Sequence, residues 1–324
     1  MESFEGKIAV VTGGGTGMGR ELVRQLAAEG CHVAMCDVDA EAMAETAALC
    51  GDASPASRIT SFVADVSDEQ QVLAFRDATA RDQQTEHINL LFNNAGVGGG
   101  GSVVVDDRAE WDRTFGICWG GVYFGTRAFM PMLLAADEGH VVNTSSVNGF
   151  WACLGPGIAH TAYSAAKFAV KGFTEALTVD FRLNAPHLRA SVVMPGHVGT
   201  SIAFNSQKLH GRNPKELTAE QVDEVRGRMK RAGLPTDGAS DEDIRQGMIA
   251  QAESFRDNAP LSAAGAATII LDGVRNGEWR ILVGDDAVLL DQMVRTAPHD
   301  AYETDFMERV LAQGALHFTS PDAP

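Results

Sequence analysis

Through the first two hundred residues, short and nearly continuous apolar runs alternate with longer stretches whose apolar residues recur at helical spacing. The runs are Ile8 to Thr12, His32 to Asp37, Ile59 to Ala64, Ile88 to Asn93, His140 to Ser145 and Arg189 to Met194, with a seventh much later at Trp279 to Val283. Strands that are apolar on both faces and separated by helices predict a parallel sheet of about seven strands covered on both sides, the doubly wound α/β architecture. Ligands of such sheets sit at the carboxyl ends of the strands. The glycines after Thr12, together with Asp37, Asp65, Asn93, Asn94, Ser146 and Pro195, all fall there.

After Gly199 the alternation stops, and residues 201–260 become charged and helix-prone, with one turn-like break at Leu234-Pro235-Thr236-Asp237-Gly238. With too few apolar residues for a core of its own, this stretch reads as an insertion of two or three helices after the sixth strand. It does not read as a second domain. A long excursion of this kind is a candidate substrate lid or an oligomer contact, and the pattern alone supports both. Leu261 to Arg275 then predicts a helix with Ser262 as N-cap and Gly277 just past its end. Residues 300–324 predict a C-terminal helix, Tyr302 to Leu311, and a frayed tail. Residues 1–324 are therefore expected to form one domain.

Composition narrows the function. Hydrophobic residues make up 45% and charged residues 21%, as in a soluble globular protein. The net charge of −17 argues against nucleic acid as a partner. Cys31, Cys36, Cys50, Cys118 and Cys153 show neither Cys-x-x-Cys nor zinc spacing, so no metal and no disulfide framework is expected, and a reducing cytoplasm fits. No run has the length of a membrane span.

The segment Thr12-Gly13-Gly14-Gly15-Thr16-Gly17-Met18-Gly19 lies between the first strand and a helix expected near Arg20. Glycines there let the backbone turn tightly against a pyrophosphate, whose charge the helix N-terminus meets, which makes the domain Rossmann-like. Asp37, followed by Val38, ends the second strand 18 residues after Gly19. A carboxylate at that place accepts from an adenosine ribose 2′-hydroxyl and repels a 2′-phosphate, which favours NAD over NADP, although Arg20 could meet a phosphate. Asp65 and Val66, at the end of the third strand, are placed to bound the adenine, or else Asp65 and Ser67 open the next helix as caps.

Tyr163 and Lys167 are four apart in a predicted helix from Thr161 to Arg182, so both leave the same face. An ammonium beside a phenol favours the phenolate and makes Tyr163 a usable general acid/base. Ser146 precedes them in Asn143-Thr144-Ser145-Ser146.

With the glycine motif, Asn93-Asn94-Ala95-Gly96, Ser146, Tyr163/Lys167 and Pro195-Gly196 in this order, the chain resembles the short-chain dehydrogenase/reductase family, in its compact branch, over about residues 5 to 200 and again near 261 to 284. The resemblance implies that Tyr163 moves the proton of the substrate oxygen, that Lys167 lowers the tyrosine pKa and holds the nicotinamide ribose, and that Ser146 steadies the alkoxide. It also implies that Asn94, Ala95 and Gly96 line the cofactor, that Asp65 and Val66 hold the adenine, and that Val198 and Thr200, beyond Pro195-Gly196, contact the carboxamide. Family members commonly form dimers or tetramers through the helices after the fourth and fifth strands, here about Trp119 to Ala135 and Tyr163 to Leu183.

Two departures stand out. Where the family often has an asparagine holding a relay water, this chain has Cys118; the expectation is a retained but altered relay. The 17-residue interval from Ser146 to Tyr163 is longer than the family's usual one, and the extra length falls in residues 149–157. Phe150, Trp151 and Leu154 are candidates for an apolar wall over a bulky apolar substrate, each as readily core as pocket. His160, His197 and Phe204 are further substrate candidates. The expected activity is NAD-dependent interconversion of a secondary alcohol and a ketone. The alternatives are a biosynthetic carbonyl reductase and a dinucleotide-binding sensor or scaffold without turnover.

Overall fold

The computed structural model describes residues 1–51, 56–153, 159–231, 233 and 235–314. Its main sheet is wholly parallel, with seven strands in the order β3-β2-β1-β4-β5-β6-β9. These are β1 (Ile8–Thr12), β2 (His32–Asp37), β3 (Ile59–Val63), β4 (Leu90–Asn93), β5 (Gly139–Thr144), β6 (Leu188–Pro195) and β9 (Arg280–Val283). The seven apolar runs are the seven strands. Their central members are buried along their length because helices cover both faces, which is why they read as unbroken apolar runs.

The helices are α1 (Gly17–Ala28), α2 (Ala40–Gly51), α3 (Glu69–Gln83), α4 (Arg108–Phe115), α5 (Gly121–Leu134) and α6 (Thr161–Asn184), then α7 (Ile202–Leu209), α8 (Ala219–Arg231), α9 (Asp241–Asp257), α10 (Ala263–Asn276), α11 (Asp285–Thr296) and α12 (Thr304–Ala312). On one face Leu22, Val23 and Leu26 of α1, Met43 of α2 and Ile270, Leu271 and Val274 of α10 pack on the sheet. On the other face Val72 and Phe75 of α3, Phe129 and Leu133 of α5 and Leu177 and Phe181 of α6 do the same. The strand order reverses between β1 and β4, and the crevice that opens at their carboxyl ends is the ligand site of such sheets.

Ser262 caps α10, accepting from the Gly265 N–H at 3.1 Å, and Gly277 ends it in the left-handed region at φ 70°. Both were expected. Leu261 and Ser262 precede that helix as a short strand, β8, which pairs with β7 (Val198–Gly199). Asp68, and not Asp65 or Ser67, is the N-cap of α3, accepting from the N–H groups of Gln70 and Gln71.

The insertion contains three helices, α7 to α9. Leu217, Val222, Val225 and Ile244 form a small apolar cluster between α8 and α9, a satellite under the charged surface. A second satellite lies beyond the sheet edge, where Val147 and Trp151 pack with Ala287, Leu290, Ala301, Phe306 and Val310 of the C-terminal segment. The helix α11 follows β9 without a counterpart in the sequence reading. Leu154, Leu234 and residues 315–324 lie outside the described residues, so those expectations have no structural counterpart here.

Candidate active site

Thr12 ends β1, and its hydroxyl accepts from the backbone N–H groups of Asn94 and Ala95, both at 3.0 Å. This ties the glycine loop to the segment after β4. Gly13 takes φ 70°, and a Cβ there would lie 2.9 Å from the Ala95 backbone; a Cβ on Gly19 would strike the Gly13 carbonyl. Only glycine permits this closeness. The loop leads into α1, whose first residues, Gly17, Met18 and Gly19, line the groove, where a helix N-terminus favours an anion.

A cavity of about 710 Å³ opens over this loop. Of the residues named from the sequence, Gly13, Thr16, Gly17, Met18, Gly19, Asp37, Val38, Asp65, Val66, Asn94, Ala95, Gly96 and Thr200 line it. Arg113, Ile117, Ile202, Asn205, Lys208 and Leu209 also line it and carried no signal, because α4 and α7 reach the groove only through the tertiary fold. Asp37 accepts from the Gly15 N–H at 3.0 Å, which fixes its carboxylate at the rim, and Gly15 itself does not line the cavity. Arg20 is held by Glu45 at 2.6 Å and by the Gly15 carbonyl, so its guanidinium is already spent on protein partners. The bare glycine cradle fits a dinucleotide. So does the buried Asn94 Oδ1, which has no hydrogen-bond partner.

The catalytic candidates converge behind this groove. Ser146 caps the short 3₁₀ turn Val147–Gly149, its Oγ accepting from the Asn148 N–H at 3.1 Å. Its hydroxyl also lies near enough to the Tyr163 phenol to act on it, in the direction that lowers the phenol's pKa. Lys167 is buried with its Nζ 5.4 Å from the Tyr163 ring centre, donating to the Thr144 carbonyl at 2.8 Å. Burial pushes the Tyr163 phenol above its ordinary value, with the Ser146 hydroxyl acting in the opposite direction. Burial likewise lowers the Lys167 ammonium. The expected depression of the tyrosine by its lysine is therefore not the dominant effect in this state. Desolvation is.

Cys118 sits in a π-helical turn, Gly116–Gly120, between α4 and α5. Its thiol donates to the Val97 carbonyl at 3.2 Å and accepts from the Val97 N–H at 3.5 Å. A Cβ on Gly96 would lie 3.5 Å from Lys167 Nζ and 3.8 Å from Cys118 Sγ, so the three meet at one point. A π turn of this kind is frequent at functional sites.

The substrate candidates divide. His160 stands beside Tyr163, with ring centres 4.7 Å apart, and burial holds its pKa down to about 4, so its imidazole is neutral near pH 7. Phe204 lies half-buried on α7. Trp151 turns away from the site: it is 1% exposed, donates from Nε1 to the Ala301 carbonyl at 2.6 Å and packs edge-on against Phe306. Phe150 faces Arg280 within the same C-terminal cluster. His197 is also held structurally, because its Nε2–H donates to the Phe255 carbonyl at 2.7 Å and its ring lies tilted against that of Phe255, joining α9 to the Pro195-Gly196 turn. That turn is braced by Asp286, which accepts from the His197 N–H at 2.6 Å and lies where a Cβ of Gly196 would be. Val198 points into the core, and neither Pro195 nor Gly196 lines the cavity. Asn148 escaped the sequence reading; its amide donates to the carbonyls of Trp151 and Cys153 and pins the loop after Ser146.

The family model for short chain dehydrogenases matches residues 7–209, from the first strand through the phenol and ammonium to the end of α7. The chain belongs to the short-chain dehydrogenase/reductase family. It is 32% identical to the SadH protein of Mycobacterium tuberculosis over 318 residues, covering 98% of each chain, so the likeness includes the insertion and the C-terminal segment. The meso-2,3-butanediol dehydrogenase of Serratia marcescens is 32% identical over 252 residues, covering 73% of this chain and 95% of its own. Among solved structures, a short-chain dehydrogenase/reductase from Burkholderia phymatum in complex with NAD superposes with a TM-score of 0.71 at 28% identity over the whole of both chains. This short-chain dehydrogenase/reductase is thus an oxidoreductase of an NAD(P)-binding family that acts on small molecules. Among the described residues no helix is long and apolar enough to cross a membrane, and no group of three His, Cys, Asp or Glu side chains is placed to hold a metal ion.

Proposed function

We propose that this chain is an NAD-dependent oxidoreductase that interconverts a secondary alcohol and a ketone, with Tyr163 as general acid/base. The observation that carries the reading is the convergence of Ser146 and the buried Lys167 on the Tyr163 phenol, next to Gly96 of the glycine-cradled groove. A group that only binds a dinucleotide needs no positioned phenol, which weighs against a sensor or scaffold. NAD is favoured over NADP because Asp37 is fixed at the rim and Arg20 is engaged elsewhere.

In alcohol oxidation Tyr163 takes the hydroxyl proton while Ser146 donates to the same oxygen, so charge developing on it is met by a preorganised donor. Lys167 holds its ammonium behind the phenol and stabilises the phenolate. A bound oxidised nicotinamide supplies the hydride acceptor. Cys118, gripping the Val97 backbone through sulfur, keeps the local turn that the family's asparagine occupies, and the relay is altered and not lost. Neutral His160 is placed as a hydrogen-bonding contact for the substrate.

One observation favours the opposite direction. A phenol held protonated by burial is ready to act as the acid in ketone reduction, so the carbonyl-reductase reading stays in play. Of the side chains expected to wall a bulky apolar substrate, Phe150 and Trp151 belong instead to the C-terminal cluster. Exposed Leu134, Phe168, Val179 and Leu183 on α5 and α6 support a homodimer or homotetramer, and the free cysteines support a reducing, cytoplasmic compartment.

The test is an absorbance assay of cofactor reduction across secondary alcohols, and of cofactor oxidation across ketones, with wild type and Tyr163→Phe. Turnover that the variant loses is the expected result. Cofactor binding without turnover on any substrate would instead favour the sensor.

A further inference from the structure

The helix that carries Tyr163, α6, is held at its first turn by the glycine run after β4. The Thr161 N–H donates to the Gly101 carbonyl at 2.9 Å, and the Ala162 N–H donates to the Gly100 carbonyl at 3.0 Å. Gly100 takes φ 64°, and a Cβ there would strike that of Ala162, so only glycine lets this loop close on the helix. The loop thus satisfies two of the helix's orphan donors, and the side chain of the N-cap residue, His160, caps nothing.

His160 and Tyr163 lie on one face of that turn, both half-buried, with ring centres 4.7 Å apart. The imidazole makes no hydrogen bond to any described residue. Because burial keeps it neutral, it offers one N–H donor and one acceptor nitrogen. Tyr163 holds the reacting oxygen, so a polar ring packed beside it is placed to meet a second polar group on the neighbouring carbon.

The surrounding charges say what that group is not. Gly100, bonded through its carbonyl to α6, donates from its N–H to Glu110 at 3.2 Å, which brings a carboxylate up to the junction of loop and helix. Arg212, at 2.8 and 2.9 Å, and Arg228, at 3.2 Å, are spent on that carboxylate and hold it ionised, with a pKa of about 2. Lys167 is committed to the Thr144 carbonyl behind the phenol. Arg113 and Lys208, the cations that line the groove, stand 3.5 Å from Asp65 and 3.6 Å from Asp39, beyond the ends of β3 and β2 and away from α6. An anionic group next to the reacting carbon would therefore meet a neutral ring and an ionised carboxylate.

We propose that His160 reads a second, uncharged oxygen on the carbon next to the reacting one, so that the substrate pair is a vicinal diol and its α-hydroxy ketone. The proposal deepens the reading of Tyr163 as the acid/base of an NAD-dependent alcohol oxidation and rests on it. In that oxidation the reacting carbon gives its hydride to the bound oxidised nicotinamide and its hydroxyl proton goes to Tyr163, leaving a ketone. The second hydroxyl keeps its covalent bonds and exchanges only hydrogen bonds with His160.

The test is the rate of NAD reduction by compounds of one carbon skeleton, isopropanol, propylene glycol and lactate, and by a second pair, cyclohexanol and vicinal cyclohexanediol, with wild type, His160→Leu and His160→Gln. In wild type kcat/KM for each diol should exceed that for its mono-alcohol by at least about tenfold, with lactate poorest, since a site built for a hydroxyl leaves its partner unpaired when the hydroxyl is missing. His160→Leu should narrow the diol preference to within about threefold, chiefly through the KM of the diol, whereas the Gln amide, which also donates and accepts, should keep most of it. A preference unchanged in His160→Leu would overturn the proposal. So would a wild type that favours the mono-alcohol or lactate, a result that needs no variant to fold. Binding of NADH without turnover of any of these compounds would count against the oxidoreductase reading itself, whereas turnover with the wrong preference would remove only the role given to His160.

Discussion

The groove over β1 and β2 and the brace behind β5 and β9 sit at opposite sides of the same reacting centre, and they are wired differently. In the groove each functional group is placed by a residue of the glycine segment 12–19: Asp37 by Gly15, Asn94 by Thr12, Gly19 by Gly13. In the brace the partners belong to no motif. Trp151 lies five residues past Ser146, yet its indole bonds the Ala301 carbonyl, 150 residues away, and its ring meets Phe306. Nearness in sequence to a candidate catalytic serine thus does not place a side chain at the site, because the 3₁₀ turn after Ser146 directs that side chain outwards to α12.

This contrast predicts a double dissociation, and its largest effect is on activity. Tyr163→Phe should lower turnover by about 10²- to 10⁴-fold while leaving the thermal midpoint near that of wild type. Trp151→Ala should do the reverse, destabilising the fold by about 3–5 kcal/mol through the cavity and the orphaned Ala301 carbonyl, as read by denaturant unfolding. A Trp151→Ala protein of normal stability but altered substrate preference would break the comparison and return that residue to the pocket.

Asp37→Ser tests the groove alone. Removing the carboxylate should narrow the preference for NADH over NADPH by about tenfold, a change worth roughly 1.4 kcal/mol, without changing stability. Fluorescence titration with both cofactors reads it directly.

Acid should act on the buried histidines before it acts on Glu110, whose carboxylate Arg212 and Arg228 hold. His140, buried in β5, and His160 are held by burial at about 3 and about 4, below the ordinary 6.5. Their folded forms stay neutral while the unfolded chain takes up protons, so the stability tied to them is complete above pH 6.5 and declines as pH falls towards 4 and then 3. Glu110 works in a lower window: its contribution is present above its ordinary 4.5 and is lost only as pH falls towards about 2. Thermal midpoints measured from pH 8 down to pH 4 should therefore fall, and His140→Gln should flatten the curve. A wild-type curve flat over that range would contradict this assignment.

The smallest effect concerns proton supply. Because burial keeps the Tyr163 proton on, alcohol oxidation should rise with pH through the alkaline range, and ketone reduction should not. Initial rates in both directions check this.

Much of the fold was legible because a parallel sheet covered on both faces writes its strands as apolar runs. The cradle was legible for a related reason: Gly13 and Gly19 are demanded by backbone closeness, which only one residue type satisfies. Arg113 and Lys208 were not, since a cation on a helix surface looks the same whether it faces a groove or water. The helix α11 was missed as well, although its buried Asp286 braces the Gly196 turn by accepting from the His197 N–H. That contact joins residues far apart in the chain, and no local pattern announces it.

The central claim is that the groove fixed by Asp37 takes NAD and presents it to Tyr163. The most direct measurement is titration of the purified protein with NADH and with NADPH, followed by nicotinamide fluorescence. The account predicts saturable binding of NADH and binding of NADPH at least about tenfold weaker, since Asp37 opposes a 2′-phosphate that Arg20, held by Glu45, does not meet. Tighter binding of NADPH, or no binding of either, would contradict it.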